Sequence, residues 1–311
     1  MKRMIRLPRT AMLLAALYLS TLAAHAQTSA TWSATPEPTG DFNVPSNWVP
    51  DTPPAGPTGT ATFNTSNIMT LTLSSTSTVE NLVFNVAGYS FNFIQSLTIT
   101  GSGITGMAPS FELPGGNLQF SNSSTAGPAI IHVFGLGPVN FFGSSTAGTA
   151  TITAGVAGSN DDFSGGFVHF FQNSSAGNAT ITSFVGSNIE FHDASSAGNA
   201  KLTAGNATLP SGAGNNGFIF FEDTSTADHA TITVNPSGEL DFSPAFFTGG
   251  TSTAGNATIT NRGIVSFFQG SSGGNATITT NNGGTTSFFG ESTGGNAAFI
   301  TTEAALSTYR A

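Results

Sequence analysis

The chain has 311 residues and a mass of 31.5 kDa, with 38 Gly, 27 Phe, no Cys and only 7 basic against 16 acidic side chains. Without Cys there is no disulfide framework, no cysteine-based zinc knuckle and no thiol nucleophile. At 7% charged residues its surface must be wetted by Ser, Thr, Asn and Gly, while 38% hydrophobic residues argue against a highly charged disordered chain.

Lys2, Arg3, Arg6 and Arg9 precede an apolar run from Ala11 to Ala24 that closes on Ala24-His25-Ala26. This reads as a secretory signal peptide over residues 1–26, with Gln27 as the mature N-terminus. An apolar run of about 14 residues falls short of the ~20 that span a bilayer. Beyond it the chain keeps three cations, Lys201, Arg262 and Arg310, against sixteen acids, a net charge of −13. So few cations leave no footprint for nucleic acid or an anionic membrane, both of which need clustered Lys or Arg. The expectation is export to the medium or cell surface, with no stable membrane insertion after cleavage.

Residues 27–107 carry both tryptophans, Trp32 and Trp48, and strand-like runs such as Met69–Leu73, Val79–Phe84 and Leu97–Thr100. A stacked core needs its first rung covered, so this segment is expected to be an N-terminal cap leading into irregular early coils.

From residue 108 to 302 one phrase recurs, clearest in Phe-Phe-Gln-Asn-Ser-Ser-Ala-Gly-Asn-Ala-Thr-Ile-Thr (170–182) and its near copy at 267–279. Its turn glycine falls at Gly127, Gly148, Gly177, Gly198, Gly255, Gly274 and Gly295, with Asp228 in the same slot. Spacings near 20 residues with occasional insertions of 6 to 10 indicate a solenoid with loops on some coils. Period-2 alternation turns pairs such as Val168/Phe170 and Ile189/Phe191 inward on one strand, and Ala179/Ile181 and Ala257/Ile259 inward on the other. No stretch of ten or more residues in this part has helical periodicity, so a doubly wound sheet is excluded. The fold class predicted is all-β, a parallel β-solenoid (β-helix) with an N-terminal cap, whose eight coils would span about 40 Å at ~4.8 Å each. Asn178, Asn199, Asn256, Asn275 and Asn296 follow the turn glycine and are expected to form an Asn ladder that satisfies otherwise buried turn groups. Residues 303–311 read as a short non-repeat tail.

Thr31-Trp-Ser, Gly40-Asp-Phe-Asn, Ser46-Asn-Trp-Val-Pro50, Thr60-Ala-Thr-Phe63 and Asn81-Leu-Val-Phe84, followed by copies of Ser-Thr-Ala-Gly-Asn-Ala-Thr-Ile, resemble the autotransporter-associated β-strand repeat proteins of bacteria. The resemblance covers nearly all of the chain after residue 26. It implies a secreted β-helical passenger, often displayed on the cell surface. Family members commonly continue into more repeats and an outer-membrane barrel, so this chain reads as a truncated copy.

Chemistry is sparse in the pattern. Gly101-Ser-Gly-Ile-Thr-Gly106 matches the dinucleotide fingerprint, but Met107–Pro114 cannot supply the helix that would hold a pyrophosphate, so it reads as a glycine turn. The outward positions of the Phe strand place His169 over Glu190 and His192 over Glu222. These residue types could ligate a metal or do acid–base work, but one sheet face rarely forms a cleft and opposite charges pair on neighbouring rungs because like charges repel, so they are read as charge pairing, and no cofactor, catalytic residue or metal ligand is assigned. Outward Phe142, Phe171, Phe220, Phe268 and Phe289 are candidate contact aromatics for glycans or for surface and matrix components. Asp161-Asp162, in an inserted loop, reads as a solvated acidic turn. The chain is therefore expected to be a non-enzymatic structural or adhesive module. The alternatives are a polysaccharide-active β-helix enzyme, and an ice-binding solenoid carrying the outward Thr-x-Thr rows from Thr151/Thr153 to Thr277/Thr279, interrupted by Lys201.

Overall fold

A computed structural model describes residues 29–156, 165–206, 216–243, 250–302 and, for the backbone alone, 306–309. Residues 1–26, read above as a signal peptide, and Asp161-Asp162 lie outside the described residues. The chain is a parallel β-solenoid. Each coil gives one strand to a 14-stranded sheet and one to an 11-stranded sheet, and every pairing is parallel except that of the first two strands. Eleven rungs at ~4.8 Å make a stack of about 50 Å. A third side is built from single bridges, Thr125–Thr146–Ser175–Ser196–Thr226–Thr253–Ser272–Thr293, one residue per coil.

At the N-terminal end, Ala30–Trp32 pairs antiparallel with Trp48–Val49 and parallel with Thr60–Phe63. Trp32 and Trp48 meet edge to face at 5.1 Å, and Trp48 packs on Phe63, the first ring of the coils. Their indole N–H groups donate to the carbonyls of Ile68 and Phe42, so these large side chains are buried without losing a hydrogen bond.

The core is a set of in-register columns. Phe120, Phe141, Phe170, Phe191, Phe221, Phe242, Phe267 and Phe288 stack face to face at 4.6–5.0 Å, close to the strand repeat. Opposite them run the buried Ile131, Ile152, Ile181, Leu202, Ile232, Ile259 and Ile278. The facing read from period-2 alternation is the facing observed. Leu240/Phe242 also stays in register with its neighbours on both sides, although the spacing to its turn is lengthened.

The turn phrase has a backbone cause. All seven turn glycines named above, and Asp228 with them, hold φ between +51° and +64°, where a Cβ is strained and Gly is not. From Gly127 to Gly274 the hydroxyl two residues earlier accepts the N–H of that position, as from Gly177 to Ser175 at 3.0 Å and from Asp228 to Thr226 at 3.0 Å. The Ser/Thr of the phrase is thus a side-chain turn closure.

Three expectations need correction. The Asn ladder exists in part, from Asn296 to Asn275 and Asn275 to Asn256 at 3.2 Å each, but on exposed side chains, so it satisfies no buried group. Turn N–H groups are instead taken by side-chain oxygens one coil on, Gly143 by Gln172, Gln172 by Asp193 and Asp193 by Asp223, at 2.6–2.9 Å. That corner turns sharply, since Gly143, Gln172, Asp193 and Asp223 all have positive φ, and its N–H groups point along the stack. Second, Gly101–Gly106 is no turn but the bulged end of the strand Ser96–Gly106, where Gly103 at φ +99° lies against the Thr125 backbone too closely for any Cβ. Third, the tail contains a strand, Leu306–Tyr309, that pairs in parallel with Thr285–Phe288.

Candidate functional site

The outer face of the large sheet carries two columns of outward side chains. One runs Gln119, Asn140, His169, Glu190, Phe220, Asp241, Ser266, each opposite the next in the parallel ladder. The other, at the strand ends, runs Phe142, Phe171, His192, Glu222. Phe142 stacks on Phe171 at 4.8 Å and Phe171 on His192 at 4.7 Å. This column breaks at Ser243, whose hydroxyl turns to Ser252 at 3.0 Å, and resumes with Phe268 stacked on Phe289 at 5.0 Å. Phe220 belongs to the first column and lies beside Phe218 at 5.3 Å. All five contact aromatics are half-buried, because stacking covers their faces and leaves their edges outward.

His169, Glu190, His192 and Glu222 are brought together in three successive coils. Glu190 Oε2 is 3.1 Å from His192 Nε2 and 3.5 Å from His169 Nε2. Glu222 Oε2 meets His192 Nδ1 at 2.9 Å, and Asn140 Oδ1 meets His169 Nδ1 at 3.1 Å. Asn188 adds a hydrogen bond from its Nδ2 to Glu190 Oε1 at 2.9 Å. The cluster is less exposed than an open sheet face implies: the side chains of His169, Glu190 and His192 keep 18–21% of their surface and Glu222 3%.

The electrostatics follow from that geometry. Burial works against charge on His192, but hydrogen bonds to and charges on Glu190 and Glu222 outweigh it and push its pKa up to about 9. His192 is therefore an imidazolium at neutral pH, held between two carboxylates. Burial lowers the pKa of His169, only partly opposed by Glu190, and positive His192 lowers it further. Burial would raise Glu190, yet its contacts with His192, His169 and Asn188 hold it below its usual range.

Spacing from the turn glycine misses a second acidic pair. Glu239 and Asp241, two apart on the strand Gly238–Phe242, point outward one coil beyond Phe220. Burial, then the neighbouring Glu239 charge, push Asp241 up to about 8 against a hydrogen bond from Ser266. The insertion between Phe242 and the next turn hides this coil from sequence spacing, although Leu240/Phe242 alternation was the available signal. On the smaller sheet, His132 and Glu112 pair at 2.8 Å beside an open depression of about 320 Å³ lined by Phe134, Thr153, Gly155 and Val156.

The Thr rows are in register. Thr153, Thr182, Thr203, Thr233, Thr260 and Thr279 follow one another without interruption, and Lys201 replaces Thr in the parallel row between Thr180 and Thr231. Comparison with protein-family models, curated proteins and solved structures finds no match for the chain.

Proposed function

We propose that this chain is an exported, non-enzymatic β-solenoid that acts as a structural or adhesive surface module of the autotransporter passenger type. The observation that carries the reading is the repetition of outward side chains at the coil repeat, above all the stacked Phe142–Phe171–His192 and Phe268–Phe289 segments. Side chains repeated at one spacing let weak contacts sum along a rod, so adhesion needs no single deep pocket. Because the rings stand edge outward, they offer an apolar ridge rather than the flat face on which a sugar ring stacks. That favours a protein component of a surface or matrix over a glycan. The net charge of −13 beyond residue 26 disfavours anionic partners.

The test is binding of the purified protein to matrix-protein and glycan arrays, compared with a Phe142→Ser/Phe171→Ser variant of unchanged circular dichroism. Binding that falls in the variant supports adhesion. Reducing-sugar release from polysaccharides that is lost on His192→Ala would replace this reading by an enzyme. N-terminal sequencing of secreted material should begin at Gln27.

A second reading rests on the uninterrupted row from Thr153 to Thr279, an in-register array of hydroxyl and methyl groups on one sheet face. An ice-binding face of this kind would give thermal hysteresis that rises in Lys201→Thr, which completes the second row, and falls in Thr203→Lys.

A further inference from the structure

We propose that His169, Glu190 and His192, backed by Glu222, form a binding site for one divalent transition-metal ion of the zinc class. The hydrogen bonds of the cluster set its tautomers. Asn140 Nδ2 donates to Asn117 Oδ1 at 3.2 Å, which turns Asn140 Oδ1 toward His169, so His169 Nδ1 is the donor across 3.1 Å. Its Nε2 then presents a lone pair to Glu190 Oε2 at 3.5 Å, too far for a hydrogen bond. His192 Nδ1 likewise donates to Glu222 Oε2 at 2.9 Å, and its Nε2 donates to the same Glu190 oxygen at 3.1 Å, so a bound metal would take the place of that Nε2 proton. Two imidazole nitrogens thus converge on one carboxylate oxygen, and each ring gives its other N–H to a side-chain oxygen. That is the arrangement in which metal-ligating histidines are held in tautomer and orientation.

Ligand atoms about 2.0–2.2 Å from a tetrahedral zinc lie about 3.3–3.6 Å from one another. Glu190 Oε2 stands 3.5 Å from His169 Nε2 and 3.1 Å from His192 Nε2, and the two imidazole rings, 6.1 Å apart at their centroids, would draw together around the ion. The trio whose ligand-capable atoms lie within 4.8 Å of one another is Glu190, His192 and Glu222, so His169 would join it by a shift of its ring. Glu222 Oε1 is buried without a hydrogen-bond partner, so a second carboxylate oxygen remains to be satisfied at this place. A buried carboxylate oxygen with nothing to bond is costly, and a cation offsets that cost. Phe171 covers one face of the His192 ring at 4.7 Å and Phe167 lies 5.8 Å from His169, walls that limit water. Mixed imidazole and carboxylate donors select zinc, cobalt or nickel over calcium and magnesium, which take oxygen ligands.

The experiment strips the purified full chain with a chelator, dialyses it against buffered zinc chloride and measures bound metal by mass spectrometry and affinity by calorimetry. Expected are one zinc per chain and, with cobalt, visible absorption of tetrahedral strength. His192→Ala and Glu190→Gln should abolish both signals, and Glu222→Gln should weaken binding roughly 10- to 100-fold. His132→Ala, in the separate pair with Glu112, should leave uptake unchanged. Circular dichroism checks each variant, and His169→Gln serves if His192→Ala fails to fold. Sub-stoichiometric zinc, uptake unaffected in folded His192→Ala or His169→Gln, or uptake lost in His132→Ala would overturn the proposal. The outcome is independent of whether the rod is adhesive.

Discussion

Replacing Phe170 by Ala tests the column architecture most directly. The Phe170 ring is fully buried and lies between Phe141 and Phe191, 4.7 Å from each and within 5° of parallel to both. Removing a buried Phe ring costs about 3–5 kcal/mol, including the cavity left behind. This cavity opens on two rings whose neighbours hold them in place, so it collapses poorly and the upper half of that range is expected. Phe171, one residue on, points outward and stacks on Phe142 and His192. Its loss removes two stacking contacts of about 0.5–1.5 kcal/mol each from a half-buried position, so Phe171→Ala should cost about 1–3 kcal/mol, below the loss at Phe170. Urea midpoints of both variants at pH 7 give the comparison. Amide hydrogen exchange then shows whether the Phe170→Ala loss is centred on the coils of Phe141 and Phe191, as expected of a stack in which each repeat touches only its neighbours. An equal cost at the two positions, or faster exchange spread evenly over the rod, would refute the column picture.

Three further outcomes are expected. With metal removed, the raised pKa of His192 contributes stability that is complete below about pH 6.5 and lost as pH rises through about 9, at most about 3 kcal/mol; the urea midpoint should fall over that window in the parent and stay flatter in His192→Gln. Asp241 is an acid whose folded pKa is raised to about 8, so its contribution is complete below about pH 4 and lost as pH climbs to 8; Asp241→Asn should raise the melting temperature at pH 8 and change it little at pH 4. Asp228 holds φ +51° where every other turn has Gly, and Asp228→Gly should relieve about 0.5–1 kcal/mol of strain, less what is lost with the Ser196 hydroxyl bonded to its carboxylate at 3.1 Å; no gain in melting temperature would show that the side-chain bond outweighs the strain.

What the sequence makes legible here is register. A phrase repeated near 20 residues, with period-2 alternation on both sides of its turn, fixes which residues stack, and so places His169 beside Glu190 and His192 beside Glu222 from spacing alone. The limits of that reading are physical. Distance from the turn glycine reports register only where nothing is inserted between strand and turn. In the coil of Phe242 residues are inserted there, yet the ladder with Phe221 and Phe267 keeps the strand aligned, so Glu239 and Asp241 escape a reading by spacing. The ladder of side-chain oxygens on turn N–H groups escapes for a different reason. Gln172, Asp193 and Asp223 all stand five residues before the turn position, but that spacing does not say where the backbone points, and only the positive φ of that corner aims each N–H at the coil above. The glycine-rich run 101–106 misleads because Gly serves turns and bulges alike, and the close approach of the Thr125 backbone decides between them.

The same in-register logic explains why so few charges gather so closely. In a parallel stack every outward side chain faces its counterpart at the strand repeat, and like charges repeated on adjacent rungs repel. A chain poor in cations cannot answer each carboxylate with Lys or Arg, and on this face it uses two other means. Glu190 and Glu222 are separated by the imidazolium of His192, one carboxylate on each ring nitrogen. Glu239 and Asp241 face each other instead, and there the buried Asp241 keeps its proton. Both means leave carboxylate oxygens short of partners, Oε1 of Glu222 and Oδ1 of Asp241. Nothing in the repeat phrase requires these residues, since neighbouring coils fill the same positions with Phe, Asn or Ser and stack as well. A face that carries buried acids the fold could do without is where selection for something other than folding is most economically placed, and the convergence of two histidines on Glu190 makes a bound cation the first thing to look for there.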